Sequence, residues 1–243
     1  MNRSFSIIRF LPNLITIMAL VVGFGSVYFA IELYWKNAAL CVVIALILDM
    51  IDGKVARLLK ATSSFGIELD SLSDLINFGV SPAVMFYMWI YRVLENKMWA
   101  WGVVVFYVIC VCLRLARFNL FAHNINDDYT KKYFFVGVPA PVGGMYIILP
   151  IIIDFSFSEI TKDINKFFLL PYVFFVAILV ASRISTFSLK YIKIPAEYIW
   201  LLFSLFAIIV VLFVLYPWYS IIFFMLLYTI SILFSFMMSR KIL

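Results

Sequence analysis

Histidine occurs once and cysteine three times in 243 residues, and charged side chains make up only 13% of the chain. Each scarcity excludes a class of protein. Cys41, Cys110 and Cys112 all fall inside apolar runs. Cys110 and Cys112 stand two apart, about 200° around a helix axis, so they cannot share one metal ion. All three read as small packing residues. His123, beside Asn124 in a polar connection, has no partner for catalysis in the sequence and reads as a solvated loop residue. Low-complexity segments are absent, and so is any stretch polar enough to form a soluble domain. Soluble domains are roughly half apolar and a quarter charged, whereas this chain is 66% hydrophobic. No basic stripe lies on a soluble face, so the net charge of +6 does not signal nucleic acid, and none is expected as a partner.

What is abundant is apolar sequence in runs of about 20 residues, the length that crosses a hydrocarbon core of about 30 Å. Eight runs lie near 10–32, 37–59, 71–92, 98–120, 135–154, 168–186, 196–215 and 217–238. A membrane β-barrel alternates polar and apolar residues in segments of about 10. The run from Ile199 to Leu215 is apolar all round, so the expected class is all-α: a polytopic membrane protein of about eight transmembrane helices. The last two runs, parted by Tyr216-Pro217-Trp218, are expected to form a tight hairpin. The first run is too long for a cleavable signal and is followed by more membrane segments. No inverted repeat of the transporter kind is visible.

Basic residues set the orientation. With the N-terminus inside, 14 lie on the inner side: Arg3, Arg9, Lys54, Arg57, Lys60, Arg114, Arg117, Lys131, Lys132, Arg183, Lys190, Lys193, Arg240 and Lys241. Only 5 lie outside: Lys36, Arg92, Lys97, Lys162 and Lys166. The positive-inside rule then places both termini in the cytoplasm. The expected location is an inner cell membrane.

Against this apolar ground, Asp49, Asp52, Asp70 and Asp74 stand close together. An Asp at a helix centre in a membrane costs about 2.5 kcal/mol or more, and such residues are usually functional. Asp49 and Asp52 are three apart and Asp70 and Asp74 four apart, so each pair shares a helical face. The two faces are expected to meet across a short connection. Four like charges require protonation or cations. Hard oxygen ligands favour Mg²⁺, Mn²⁺ or Ca²⁺, and four carboxylates suffice for two divalent ions that grip phosphate oxygens. Ion pairing with Lys54, Arg57 and Lys60 is the plain structural alternative. Gly53, Ala56 and Gly66 clear space beside the acids, and Arg57 suits a phosphate. The residues alone thus read as a metal-assisted phosphoryl or nucleotide site near the cytoplasmic surface.

The run Asp49-Met-Ile-Asp52-Gly53-Lys-Val-Ala56-Arg57, eight residues, then Gly66-Ile-Glu-Leu-Asp70-Ser-Leu-Ser-Asp74 resembles the signature of the CDP-alcohol phosphotransferases at every defining position. The resemblance implies that Asp49, Asp52, Asp70 and Asp74 hold two divalent metals, Mg²⁺ or Mn²⁺ with Ca²⁺ possible in vitro. It implies that Asp74 is also the catalytic base and that Gly53, Ala56, Arg57 and Gly66 line the CDP pocket. It further implies a six-span homodimeric core. On that pattern residues 1–190 are the core and 191–243 a C-terminal two-helix membrane extension.

Further stretches resemble the membrane-embedded branch of the family that uses L-serine. They are Phe10-Leu-Pro-Asn-Leu-Ile-Thr16, Ser64 to Pro82, Arg114-Leu-Ala-Arg117-Phe-Asn119 and Phe135-Val-Gly137-Val-Pro139-Ala-Pro141. The implied partners are CDP-diacylglycerol, L-serine and membrane lipids, and the products are phosphatidylserine and CMP. Asn13 and Thr16, three apart, are candidates for the CDP-lipid, with helix capping as the alternative. Arg114, Arg117 and Asn119 are candidates for the serine carboxylate or the phosphate, with anchoring of a helix end as the alternative. Glycerol 3-phosphate or inositol phosphate is the alternative acceptor, and a cation transporter is the remote alternative.

Overall fold

The computed structural model describes residues 10–92, 94, 97–123, 134–157, 168–182, 185–187 and 199–242. Arg3, Arg9, Lys131, Lys132, Lys162, Lys166, Arg183, Lys190, Lys193 and the proposed boundary at 190/191 lie outside the described residues.

Helix α1 spans Leu11–Ile31 and α2 spans Trp35–Leu58, and these two make the most extensive pairing among the described residues. The buried face of α1 is Pro12, Thr16, Ala19, Gly23, Ser26 and Ala30. That of α2 is Ala38, Ala39, Val42, Ala45 and Asp52. In lipid no hydrophobic force drives helices together, so small residues that let backbones approach supply the contact. Both helices end with a backbone reversal at a left-handed residue other than glycine, Leu33 (φ 66°) and Lys60 (φ 49°). At Lys60 the Ala61 N–H donates to the Ala56 carbonyl and the Lys60 N–H to the Arg57 carbonyl, the paired bonds of a Schellman cap.

The third expected run is longer than its apolar core. It begins at α3, Ser64–Asp74, continues through a π-helical stretch, Leu75–Val80, and ends in α4, Ser81–Ile90. Ser63 caps α3, its Oγ accepting from the Gly66 N–H at 3.0 Å. The π stretch has a local cause. Pro82 has no N–H to offer the Phe78 carbonyl four residues back, and its ring crowds that carbonyl. Tyr107 of the next helix donates its hydroxyl there instead, at 2.7 Å.

That next helix, α5, spans Lys97–His123 and packs chiefly on α7, Leu169–Ala181. Between them in sequence lies α6, Ala140–Ser156, which is buried along most of its length. Pro150 inside α6 orphans the Tyr146 carbonyl as Pro82 orphans that of Phe78, and the Tyr172 hydroxyl of α7 donates to it at 2.8 Å. Close to α7 a short two-stranded ribbon accompanies the helices. Strand β1, Phe134–Val136, pairs antiparallel with β2, Ser185–Phe187. Gly137 leaves β1 at φ +84°, and a Cβ there would meet the Ser182 carbonyl at 2.8 Å.

Helix α8, Ile199–Leu215, and helix α9, Pro217–Ile242, pack against each other across Tyr216, as expected of a hairpin. Ser220 Oγ donates back to the Leu212 carbonyl at 3.0 Å. Helix α9 also lies on α6, where Tyr146 and Thr229 share a hydrogen bond of 2.8 Å. Each of the eight expected runs corresponds to a helix or continuous helical segment. Two, Leu11–Ile31 and Lys97–Leu120, are long and apolar enough to cross a membrane by length and composition. Among the described residues Ala140–Ser156, Leu169–Ala181, Ile199–Leu215 and Pro217–Ile232 are apolar but shorter, whereas α2 has the length, 24 residues, and carries charged side chains.

Candidate active site

The sequence folds locally so that two carboxylate-bearing faces oppose each other. The Lys60 cap turns the chain at the end of α2, and the Ser63 cap restarts it as α3. Asp49 of α2 and Asp70 and Asp74 of α3 are thereby brought together, each offering an oxygen within 4.8 Å of the others. Asp52 faces a neighbouring direction. It is 4% exposed, and Thr16 Oγ1 of α1 donates to its Oδ2 at 2.6 Å. The same hydroxyl lies 3.1 Å from the Pro12 carbonyl, so Thr16 ties α1 to α2 at the site.

The cluster suits a divalent cation. Asp74 Oδ1 is buried without a hydrogen-bond partner, and the carboxylates of Asp49 and Asp70 lie beside that of Asp74. Hard carboxylate oxygens packed this way invite a hard cation. The acidic cluster is therefore able to hold a metal ion.

Beside it opens a pocket of about 150 Å³ lined by Asn13, Thr16, Asp52, Gly53, Ala56, Gly66 and Asp70. Five of the six candidates for the CDP-lipid thus share one wall. A Cβ on Gly53 would meet nothing within 4 Å, so this glycine leaves room rather than enabling packing. Gly66 is tight, because a Cβ there would stand 3.0 Å from Asn13 Oδ1 and 3.2 Å from Ser63 Oγ. Arg57 is exposed and turns back on its own helix, donating Nε to the Gly53 carbonyl at 3.0 Å.

The three candidates on α5 separate. Arg117 donates to the Ala181 carbonyl at the end of α7 at 2.8 Å, so it caps that helix. Asn119 accepts from Ser71 Oγ at 2.9 Å and donates to Glu68 Oε2 at 3.3 Å, which ties α5 to α3. Arg114 lies within electrostatic reach of Asp74 and Tyr228, and its Nε is buried without a hydrogen-bond partner. The structure also adds Pro12, Ala61, Thr62, Ser63 and Ile67 to the pocket wall. Sequence reasoning passed over them. Only Ser63 carried a signal, as a serine just before a helix.

A helical membrane fold that gathers carboxylates from two helices beside such a pocket defines a membrane protein with a metal-capable acidic centre. The chain belongs to the CDP-alcohol phosphatidyltransferase family, whose profile matches residues 9–181. It is similar to the CDP-diacylglycerol–serine O-phosphatidyltransferase of Mycobacterium leprae, 36% identical over 212 residues covering 87% of this chain and 69% of that protein. The protein of the same name from Mycobacterium tuberculosis is 35% identical over 211 residues, 87% of this chain and 72% of its own. That from Helicobacter pylori is 35% identical over 183 residues, 75% of this chain and 73% of its own.

Proposed function

We propose that this chain transfers a phosphatidyl group from CDP-diacylglycerol to L-serine, giving phosphatidylserine and CMP. The observation that carries the reading is the meeting of Asp49, Asp70 and Asp74 within 4.8 Å beside the pocket floored by Gly53 and Ala56. Relatives at about 35% identity that carry the serine-transferase name support the acceptor.

Asp49, Asp52, Asp70 and Asp74 hold two divalent cations, Mg²⁺ or Mn²⁺. When bound, these neutralise the diphosphate and the departing CMP. Asn13, Thr16, Gly53, Ala56, Arg57 and Gly66 seat the CDP moiety, the glycines allowing close approach. Asp74 takes the proton of the serine hydroxyl. The freed oxygen attacks the phosphorus that bears the diacylglycerol, and the bond from that phosphorus to the CMP oxygen breaks. Arg114 is the cation left to meet the serine carboxylate, since Arg117 and Asn119 have protein partners. No covalent intermediate is needed. The chain crosses an inner membrane eight times with both termini and the site cytoplasmic. Residues 1–190 form the homodimeric core, and 191–243 add two helices.

The test is CMP release by purified protein with CDP-diacylglycerol and Mn²⁺ or Mg²⁺, comparing L-serine, glycerol 3-phosphate, inositol 1-phosphate and no acceptor. Release that requires both serine and metal is the expected result. Release with another acceptor alone overturns serine and keeps the family.

A further inference from the structure

Below the carboxylates, α1 and the α3–α4 segment enclose a column of polar side chains that the proposed reaction does not use. Asn77 Nδ2 donates to Ser73 Oγ at 3.0 Å. Ser73 Oγ donates to the Thr16 carbonyl at 3.4 Å, and Thr16 Oγ1 donates to Asp52 at 2.6 Å. Hydrogen bonds thus link Asn77 to Ser73, Ser73 to the Thr16 backbone, and the Thr16 side chain to a carboxylate of the site. Because the Ser73 proton goes to Thr16, Ser73 must accept from Asn77. That requirement fixes the amide, with Oδ1 turned away from Ser73.

Asn77 Oδ1, Ser26 Oγ and Ser81 Oγ are all buried without a hydrogen-bond partner. The three residues are each 0% exposed. They lie on the buried faces of α1, the π stretch and α4, elements that pack together. Asn77 Oδ1 presses into the space that a side chain on Gly23 would occupy. Ser26 stands one turn beyond Gly23 on α1, and Ser81 one turn beyond Asn77 at the start of α4. The helices run in the same direction, with Ser73 against Thr16 and then Asn77 against Gly23.

We propose that Ser26, Asn77 and Ser81 form a buried water site between α1 and α4, and that the water held there fixes Asn77 as a positioning residue for Asp52. Three polar atoms match the roughly three hydrogen bonds that a buried water makes. Without water they are three unpaired polar atoms inside a membrane protein, where each is costly. Asn77 touches no reacting atom. It acts through Ser73 and Thr16, and this half of the proposal rests on the metal-binding reading of Asp52.

Thermal unfolding of the full chain in lipid nanodiscs tests the water site. Ser26→Ala and Ser81→Ala each remove one partner of the water, and each is expected to lower the midpoint by roughly 2–4 °C. Two dry hydroxyls predict the opposite sign, since deleting an unpaired buried hydroxyl relieves a cost. Unchanged or raised midpoints in both variants overturn the water site. The positioning role is read from the rise in midpoint that Mn²⁺ induces, titrated against Mn²⁺ concentration. Asn77→Leu and Ser73→Ala are expected to raise the half-saturating Mn²⁺ by roughly tenfold or more, as loss of outer-shell support does. Ser73→Ala decides the matter if Asn77→Leu does not fold. A merely structural role lowers the starting midpoint and leaves the half-saturating concentration unchanged, which overturns positioning. A wild type with no Mn²⁺ response overturns the metal reading and with it the role of Asn77, while the serine variants still decide the water site.

Discussion

In the proposed reaction Asp74 does two things in one place, holding a cation and receiving a proton. Its place suits each role, because it offers an oxygen to the carboxylate cluster and no hydrogen-bond donor engages its Oδ1. Asp74→Asn keeps the shape and removes the basic oxygen. CMP release is expected to fall by about 10²-fold or more, the usual scale of general base catalysis, while binding of CDP-diacylglycerol persists. An unchanged rate in the single-turnover assay would move the base elsewhere. The four aspartates were legible because spacings of three and four residues in apolar runs have few other uses. Arg117 and Asn119 were not separable from Arg114 by sequence. Their partners, Ala181, Ser71 and Glu68, lie 64, 48 and 51 residues away, and nothing in local spacing announces a contact made at that range.

At the scale of elements, two prolines and two tyrosines solve one problem twice. Pro82 frees the carbonyl of Phe78 and Tyr107 satisfies it. Pro150 frees that of Tyr146 and Tyr172 satisfies it. Removing either hydroxyl leaves a buried acceptor unpaired, at a cost of about 1–3 kcal/mol. Tyr107→Phe and Tyr172→Phe are therefore expected to destabilise the fold alike in thermal unfolding. Their effects on catalysis should differ. The π stretch begins directly after Asp74, so Tyr107→Phe is expected to lower kcat as well, whereas Tyr172→Phe spares it in the folded fraction. Lys60 offers the converse test. It is exposed and holds a left-handed conformation that costs a side-chain-bearing residue roughly 1–2 kcal/mol. Lys60→Gly removes that strain at some entropic cost, so stability is expected to rise by up to about 1 kcal/mol, read as a higher unfolding midpoint. The helices themselves were legible as apolar runs. The extension of the third run back to Ser64 was not, because α3 is amphipathic and carries the acids that hydropathy averages away. The β1–β2 ribbon was hidden for another reason. It joins two three-residue segments far apart in sequence, too short for alternation to register.

For the whole molecule, the question is how a chain this apolar is placed in its bilayer. Helix α8 exposes nearly all of its side chains and makes its principal contacts with α9, as suits a helix surrounded by lipid. At 17 residues it is about 25 Å long, somewhat short of a hydrocarbon core of about 30 Å. Length therefore leaves the number of crossings open, and charge must supply the argument. Eight crossings would put fourteen basic residues on one side and five on the other, with the site aspartates of α2 and α3, next to Lys54, Arg57 and Lys60, on the richer side. Eight crossings return the C-terminus to the side of the N-terminus, while seven or nine do not. Single cysteines introduced as Arg3→Cys, Lys60→Cys and Arg240→Cys, in a background with Cys41, Cys110 and Cys112 replaced by Ala, are expected to react with a membrane-impermeant thiol reagent in inverted vesicles and not in intact cells. Lys36→Cys and Lys162→Cys are expected to do the reverse. Arg240→Cys labelling from the opposite side to Arg3→Cys would require an odd number of crossings. In that case one of the eight segments does not span, and within the hairpin α8 is the one its length marks out, because Tyr146 of α6 binds Thr229 and holds α9 to the body of the bundle.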